Sequence, residues 1–179
     1  MYALSTRRQM ITAGVLVAAG LAARPSSGQA APEDGISHAA ESIHQEPLFT
    51  AGRKRLFNAL IDARQFDKVI ALSGVLQTMK QAPKPAEISR HVGGAFVLFG
   101  GYVTGRQIEI VPDGLIVQAW RAASWNPGIY SIARFELVDH GSGAKIIFDH
   151  TGFPVGAADH LAAGWYANYW DPLQKLLAS

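Results

Sequence analysis

Hydrophobic and polar residues alternate through the middle of the chain, in short runs separated by glycine, proline, aspartate and asparagine. A period of two residues predicts β-strands with one buried face, and the separating residues are typical of tight turns. Strands that follow one another through such turns form an antiparallel meander. The predicted strands cover residues 88–91, 94–98, 105–111, 115–121, 130–138 and 145–150, and a short first strand covers residues 42–48.

Two other regions have the spacing of amphipathic helices. Between residues 50 and 74, apolar residues recur every three or four positions, which predicts two short helices separated at Asp62, with Thr50 as the cap of the first. Residues 158–177 predict one long final helix, in which Pro172 should cause a kink or start a fresh turn because it lacks a backbone N–H. This order of elements favours the α+β class, with a curved antiparallel sheet wrapped around the C-terminal helix.

The first 30 residues follow neither pattern. The segment begins with a charged stretch that contains Arg7 and Arg8, continues with an apolar run of roughly 14 residues, and ends in small residues. The apolar run is shorter than the ~20 residues that a membrane-spanning helix needs. The segment therefore resembles a twin-arginine signal peptide. We expect cleavage after Ala30, with Ala31 as the alternative, and export of the folded protein to the periplasm or beyond. The expected partners of this step are the twin-arginine export machinery and signal peptidase, and no stable membrane span should remain after processing.

Composition supports one domain that folds without covalent staples. The chain has 179 residues, of which 49% are hydrophobic, so it can bury one sizeable core. We assign residues 31–41 to a flexible lead-in and residues 42–179 to the domain. The formal charge of +2 belongs to the leader, since removing residues 1–30 leaves 13 basic against 14 acidic residues, and this balance argues against nucleic-acid binding. The lack of cysteine excludes disulfides and thiolate chemistry.

Several short motifs occur in a fixed order over roughly residues 43–177. They are Phe99–Gly105, Glu109–Pro112, Ile116–Arg121, Trp125, His150–Gly152, Gly164–Trp165 and Tyr169–Leu173. Together they resemble the C-terminal domain of heat shock protein 90 ATPase activators and their bacterial relatives. The resemblance implies a helix-grip fold of the START/SRPBCC type, with a cavity between the sheet and the C-terminal helix. It does not by itself imply ATPase activation, because an exported protein would meet neither that chaperone nor ATP.

Five residues are predicted to bind a ligand in that cavity. They are Gln118, Trp120, His150, Trp165 and Tyr169. His150 shares a strand face with apolar residues that the final helix should cover, which makes it a weak catalytic candidate as a general base; the alternative is a hydrogen-bonded structural histidine. The aromatic residues have core packing as their alternative. No spacing typical of a metal site or a phosphate loop is present, so we expect no metal and no cofactor.

Three functions are compatible with these observations. The first is a carrier or sensor that binds a small hydrophobic molecule in the cavity. The second is an enzyme of the cyclase, lyase or hydrolase type that uses the same cavity, with His150 moving a proton. The third is a protein-interaction module like the activators, which would require an exposed apolar surface.

Overall fold

The computed structural model describes residues 40–78 and 83–178, and its central element is an eight-stranded antiparallel sheet. The strands are β1 (Ala40–Gln45), β2 (Leu48–Phe49), β3 (Glu87–Ile88), β4 (Ala95–Leu98), β5 (Val103–Val111), β6 (Leu115–Ala122), β7 (Ser131–His140) and β8 (Gly143–Pro154). Their order across the sheet is β1-β8-β7-β6-β5-β4-β3, and β2 also pairs with β8. The meander predicted from the alternation is thus present, with the first strand placed beside the last.

Helical segments cover one face of this sheet. They are α1 (Arg53–Ile61), α2 (Ala63–Ala71), α3 (Gly74–Thr78), a 3-10 turn (Phe99–Gly101), α4 (Ala158–Trp165), a π-helical turn (Tyr166–Trp170) and α5 (Asp171–Leu177). The separation at Asp62 is confirmed, because the Asp62 carboxylate accepts a hydrogen bond from the Gln65 N–H and caps α2. The prediction that Thr50 caps α1 is wrong. The preceding residues still pair with β8, so the helix begins only at Arg53, after Gly52.

Pro172 changes the hydrogen bonding of the final helix without breaking it. The segments α4, the π-helical turn and α5 follow one another with helical backbone angles at every junction. The Asp171 N–H donates to the carbonyl of Tyr166, five residues back, and α5 then starts with Pro172 in its first turn. Proline has no N–H to donate, and the wider π-helical turn accommodates this missing hydrogen bond. The predicted fresh turn at Pro172 is therefore confirmed.

The core lies between the sheet and the C-terminal helix. Every second residue of β6 is buried, as is every second residue along most of β7, and these residues face the helix together with the inner residues of β8. Examples are Ile116 and Trp120 in β6, Phe135 in β7 and Phe148 in β8. The α+β helix-grip architecture that the resemblance implies is therefore confirmed.

Two side chains of β1 form hydrogen bonds with the final helix. The Glu41 carboxylate accepts hydrogen bonds from the backbone N–H groups of Gly156 and Ala158, at 2.8 and 3.0 Å, where α4 begins. The Gln45 amide oxygen accepts a hydrogen bond of 2.6 Å from the indole N–H of Trp170. The helix has no capping side chain at its own N-cap position, so its start is stabilised by a residue more than a hundred positions earlier in the chain.

The predictions for the leader concern residues that the structure does not describe. The predicted signal peptide, its cleavage site and residues 31–39 lie outside the described ranges, and β1 begins at Ala40, two residues before the predicted start of the domain. Within residues 40–78 and 83–178, none of the helices is both long and apolar enough to cross a membrane.

Candidate functional site

A cavity of about 110 Å³ lies between the C-terminal helix and the end of the sheet formed by β5 and β6. Trp120, Trp165 and Tyr169, all buried, form its floor. Tyr102 and His160 lie at its mouth, where both are exposed. The site is therefore an aromatic pocket with an opening to solvent.

The size of the cavity limits what it can hold. A cavity of roughly 150 Å³ is known to hold benzene, whereas pockets for drug-sized ligands usually measure about 300–1,000 Å³. A volume of about 110 Å³ suits one small ring or a short branched chain. A longer molecule would have to extend past Tyr102 into solvent.

Two polar atoms of the floor residues are buried away from the surface of the cavity. Trp120 is 4% exposed and Tyr169 is 5% exposed, and neither the Trp120 indole N–H nor the Tyr169 hydroxyl meets a partner at full hydrogen-bonding geometry among the described residues. Burial raises the pKa of the Tyr169 phenol well above its ordinary value, and the Trp120 N–H, which approaches the phenol oxygen as a hydrogen-bond donor, opposes that rise in part. The phenol is thus neutral at any physiological pH and keeps a proton to donate.

His150 lies behind the floor, in a buried chain of hydrogen bonds. The Trp165 indole N–H donates to His150 Nδ1 at 3.1 Å. His150 Nε2 lies 2.6 Å from the Ser131 hydroxyl, which in turn donates to the carbonyl of Trp120 at 3.1 Å. Every polar atom of the His150 ring therefore has a partner, and the ring does not line the cavity.

The direction of these hydrogen bonds fixes the tautomer of His150. An indole N–H can only donate, so Nδ1 of a neutral His150 accepts and Nε2 carries the proton. In a nucleophile and base pair, Nε2 must instead accept the serine proton while a carboxylate holds the Nδ1–H. The Ser131 and His150 pair has the reverse arrangement. The geometry thus supports the structural alternative for His150 over the general-base hypothesis.

Gln118 lies in a different part of the interior. Its amide N–H donates to the Gln107 side-chain oxygen at 3.3 Å, and Gln107 donates to the carbonyl of Ser89 at 3.2 Å. Gln118 borders a separate void of about 10 Å³, too small for anything larger than a water molecule. The two glutamines therefore pair with each other across β5 and β6.

Of the five residues predicted to bind a ligand, the structure brings three together around the cavity. Trp120, Trp165 and Tyr169 line it, whereas His150 lies behind it and Gln118 lies in the separate void. The prediction did not include Trp125 and Leu161, which also line the cavity. Trp125 belongs to the motifs that carry the family resemblance, and Leu161 belongs to the apolar stripe of the final helix, so both had a signal in the sequence.

The sequence matches one family model over most of the domain. The model described as "Activator of Hsp90 ATPase homolog 1-like protein" matches residues 50–178. The human Activator of 90 kDa heat shock protein ATPase homolog 1 is 24% identical over 116 residues, which are 65% of this chain and 34% of that protein. The homolog from Dictyostelium discoideum is 30% identical over 83 residues, 46% of this chain and 22% of that protein. The chain thus matches only about a third or less of the length of these two relatives.

Solved structures with the same fold include proteins of several kinds. An HSP90 activator from Plasmodium falciparum superposes with a TM-score of 0.66 at 25% identity, over 76% of this chain and 96% of that one. CalU16 from Micromonospora echinospora superposes with a TM-score of 0.61 at 16% identity, over 78% of this chain and 77% of that one, and so supports the fold alone.

Proposed function

The chain belongs to the family of Activator of Hsp90 ATPase homolog 1-like proteins, and from this premise we propose that it binds a small, mainly apolar molecule in the cavity between the sheet and the C-terminal helix. The observation that carries the proposal is the pocket itself. Three buried aromatic side chains form its floor, and its mouth is open at Tyr102. Concave apolar sites with a few polar groups are the usual form of small-molecule sites.

The packing around the pocket supports a site that exists before the ligand arrives. The Trp120 ring packs against Trp125 and His150, with ring centroids 5.4 and 5.1 Å apart. On the opposite wall, the Asn168 side chain accepts a hydrogen bond from the Val75 N–H and so links the π-helical turn to α3. Because these walls are fixed in advance, a ligand would lose little affinity to ordering the protein.

A cavity-filling substitution gives a direct test of ligand binding. Gly164 lines the cavity within α4, and a Cβ added there meets no atom within 4 Å. We expect Gly164→Phe to fill the pocket without lowering the free energy of unfolding, because glycine in a helix is about 1 kcal/mol less favourable than alanine and its replacement offsets the cost of the larger side chain. A cavity ligand at a hundred times its Kd should stabilise the native protein by about 3 kcal/mol and should leave Gly164→Phe unchanged. Thermal unfolding with a library of small apolar compounds measures both effects.

Gly164→Ala is the matched control, since it also removes the backbone freedom of glycine and leaves most of the cavity open. Native mass spectrometry of the protein purified from cells shows whether a molecule already occupies the site. If no compound stabilises the native protein, or if Gly164→Phe gains as much as Gly164→Ala, the cavity does not bind the ligand. Either result would favour a second candidate, an activator-like contact with a protein partner, for which family membership is the supporting observation.

The proposed place of action is the periplasm or the exterior of the cell, reached by the twin-arginine route. The support is the motif at Arg7 and Arg8 and the apolar run that follows. Replacing both residues with lysine should keep the full-length protein in the cytoplasm, whereas Arg24→Lys, behind the apolar run, should leave export unchanged. Cell fractionation measures the distribution, and N-terminal sequencing of the exported protein should begin at Ala31 or Pro32. Export of the doubly substituted protein at the native level would rule out this route.

A further inference from the structure

We propose that the rings of Tyr169 and Phe99 form a partition at the bottom of the cavity, and that this partition determines how long a ligand the protein accepts. The partition admits single rings and short or branched chains with an apolar inner end, and it excludes longer straight chains. This inference rests on the proposed function and makes it more specific, because it names the class of molecule that fits and the residues that select it.

The first step of the argument is that a second internal space lies beyond the cavity. This inner void, of about 10 Å³, is bordered by Phe66 and Gln118 among others. Tyr169 is the one described residue that borders both the inner void and the cavity, whereas Phe99 borders the cavity alone. The Tyr169 side chain therefore separates the two spaces.

The second step is that the partition is held in place from several sides. The ring centroids of Phe66, Phe99 and Tyr169 lie between 5.5 and 5.9 Å apart, so rings from α2, the 3-10 turn and the final helix pack against one another. The Trp120 indole N–H approaches the Tyr169 phenol oxygen as a donor. The Trp165 ring lies 4.2 Å from the Tyr169 ring on the cavity side. A ligand would have to break these contacts to reach the inner void.

The backbone of Phe99 is an independent indication that the partition is functional. Its φ of 51° lies in the left-handed region, which is unfavourable for a residue with a side chain. Strained residues of this kind persist only where the surrounding structure holds them, and they cluster at binding sites. Phe99 is only 5% exposed, and its ring packs against both Phe66 and Tyr169. The strained residue thus supplies one of the two rings that close the cavity.

The third step concerns the chemistry of the space behind the partition. Apart from Gln118 and Tyr169, the described residues that border the inner void are aliphatic or aromatic. The Gln118 amide N–H already donates to Gln107, and the polar atoms of Trp120 and Tyr169 are buried away from the cavity surface. The inner end of a ligand therefore gains nothing from a polar group, and only the rings limit its length.

The test measures affinity along a series of straight-chain 1-alkanols, from 1-butanol to 1-nonanol. The hydroxyl should stay in water at the mouth with the alkyl chain pointing inward, because the floor offers a hydroxyl no accessible partner. In the native protein, each buried methylene should raise the affinity about fourfold, and the affinity should level off once the chain reaches Tyr169. Titration followed by the fluorescence of Trp120 and Trp165, on the floor of the cavity, gives each dissociation constant.

Two substitutions shorten the partition from its two sides. In Tyr169→Leu the affinity should level off about three methylenes later, so that 1-nonanol binds about sixtyfold more tightly than to the native protein. Phe99→Leu should lengthen the accepted chain as well, and it tests the partition if Tyr169→Leu does not fold. Thermal unfolding shows that each variant is folded before it is titrated.

Two further variants are controls for the ring itself. Tyr169→Phe keeps the ring and loses only the hydroxyl, so its affinity should level off at the native chain length. Leu98 borders the inner void, so adding Leu98→Phe to Tyr169→Leu should refill the opened space at nearly constant core volume. That double variant should return to the native chain length.

The outcomes separate this inference from the proposed function. If Tyr169→Leu and Phe99→Leu both level off at the native length, or if the affinity of the native protein keeps rising to 1-nonanol, the partition does not set the length and the inference is overturned while cavity binding stands. A later levelling in Tyr169→Phe would overturn the assignment to the ring. Binding of no 1-alkanol to the native protein, or equal binding to Gly164→Phe, would overturn both proposals.

Discussion

Replacing His150 with alanine is expected to lower the free energy of unfolding by about 4 kcal/mol at pH 7. The side chain is completely buried and joins two other buried groups by hydrogen bonds. Alanine leaves the Trp165 indole N–H without an acceptor and the Ser131 hydroxyl without its histidine partner. It also leaves a cavity between Trp120 and Phe153, whose rings pack against the imidazole. Urea denaturation with an unchanged m-value measures the loss.

The same substitution should change how stability depends on pH. Burial lowers the pKa of His150 from 6.5 to about 3. Between these values the unfolded chain binds a proton that the folded protein does not, so the native protein loses stability as the pH falls, at about 1.4 kcal/mol per unit. His150→Ala lacks this contribution. We therefore expect the difference in the free energy of unfolding between the native protein and His150→Ala to narrow by about 2 kcal/mol from pH 7 to pH 5.

A matched control for His150 lies elsewhere in the chain. His160 is exposed at the cavity mouth, and His160→Ala should alter stability by less than about 0.5 kcal/mol at either pH. If the difference in the free energy of unfolding between the native protein and His150→Ala stays constant from pH 7 to pH 5, His150 has the same pKa in the folded and unfolded protein. Such a result would contradict a buried neutral imidazole.

The antiparallel meander from β3 to β8 and the buried faces of its strands could be predicted because they depend on local patterns. In β6 and β7 each inward residue is apolar or aromatic except at a few positions, so the alternation identifies the inner face. The stripe of the final helix placed Trp165 and Tyr169 toward that face for the same reason. These two patterns are enough to predict that Trp120, Trp165 and Tyr169 lie close together. The periodicity within single strands and helices therefore predicts most of these elements and which face of each is buried.

What could not be predicted depends on pairs of residues far apart in the chain. Gln118 was expected in the cavity, but its amide pairs with Gln107, and the bulge that breaks the register of β5 and β6 begins at Gln107. Glu41 caps α4 across the whole domain, although nothing near either residue indicates the contact. The tautomer of His150 follows from Trp165, whose position relative to the ring is a tertiary property. Polar side chains have several possible partners, and only the folded chain selects among them.

Trp165→Ala is expected to have the largest effect of any single substitution at the site, a loss of about 5 kcal/mol in the free energy of unfolding. Trp165 is fully buried at the centre of the aromatic cluster. Its ring centroid lies 4.2 Å from that of Tyr169 and 4.4 Å from that of Phe148, and its plane stacks on Trp170. The substitution removes this packing and leaves the Nδ1 atom of His150 without its donor. Thermal unfolding compared with the native protein measures the loss.

Chemical rescue distinguishes loss of the ring from loss of the helix. The space left by Trp165→Ala joins the existing cavity, and indole has the shape and the N–H of the missing side chain. We expect millimolar indole to raise the Tm of Trp165→Ala by several degrees through binding to the folded state and to affect the native protein much less. Tyr166→Ala is the matched control, because that exposed neighbour on the same helix should cost little when truncated. If indole stabilises Trp165→Ala no more than it stabilises Tyr166→Ala, the Trp165 side chain does not line the cavity. The assignment of the cavity floor, on which the proposed ligand binding rests, would then be wrong.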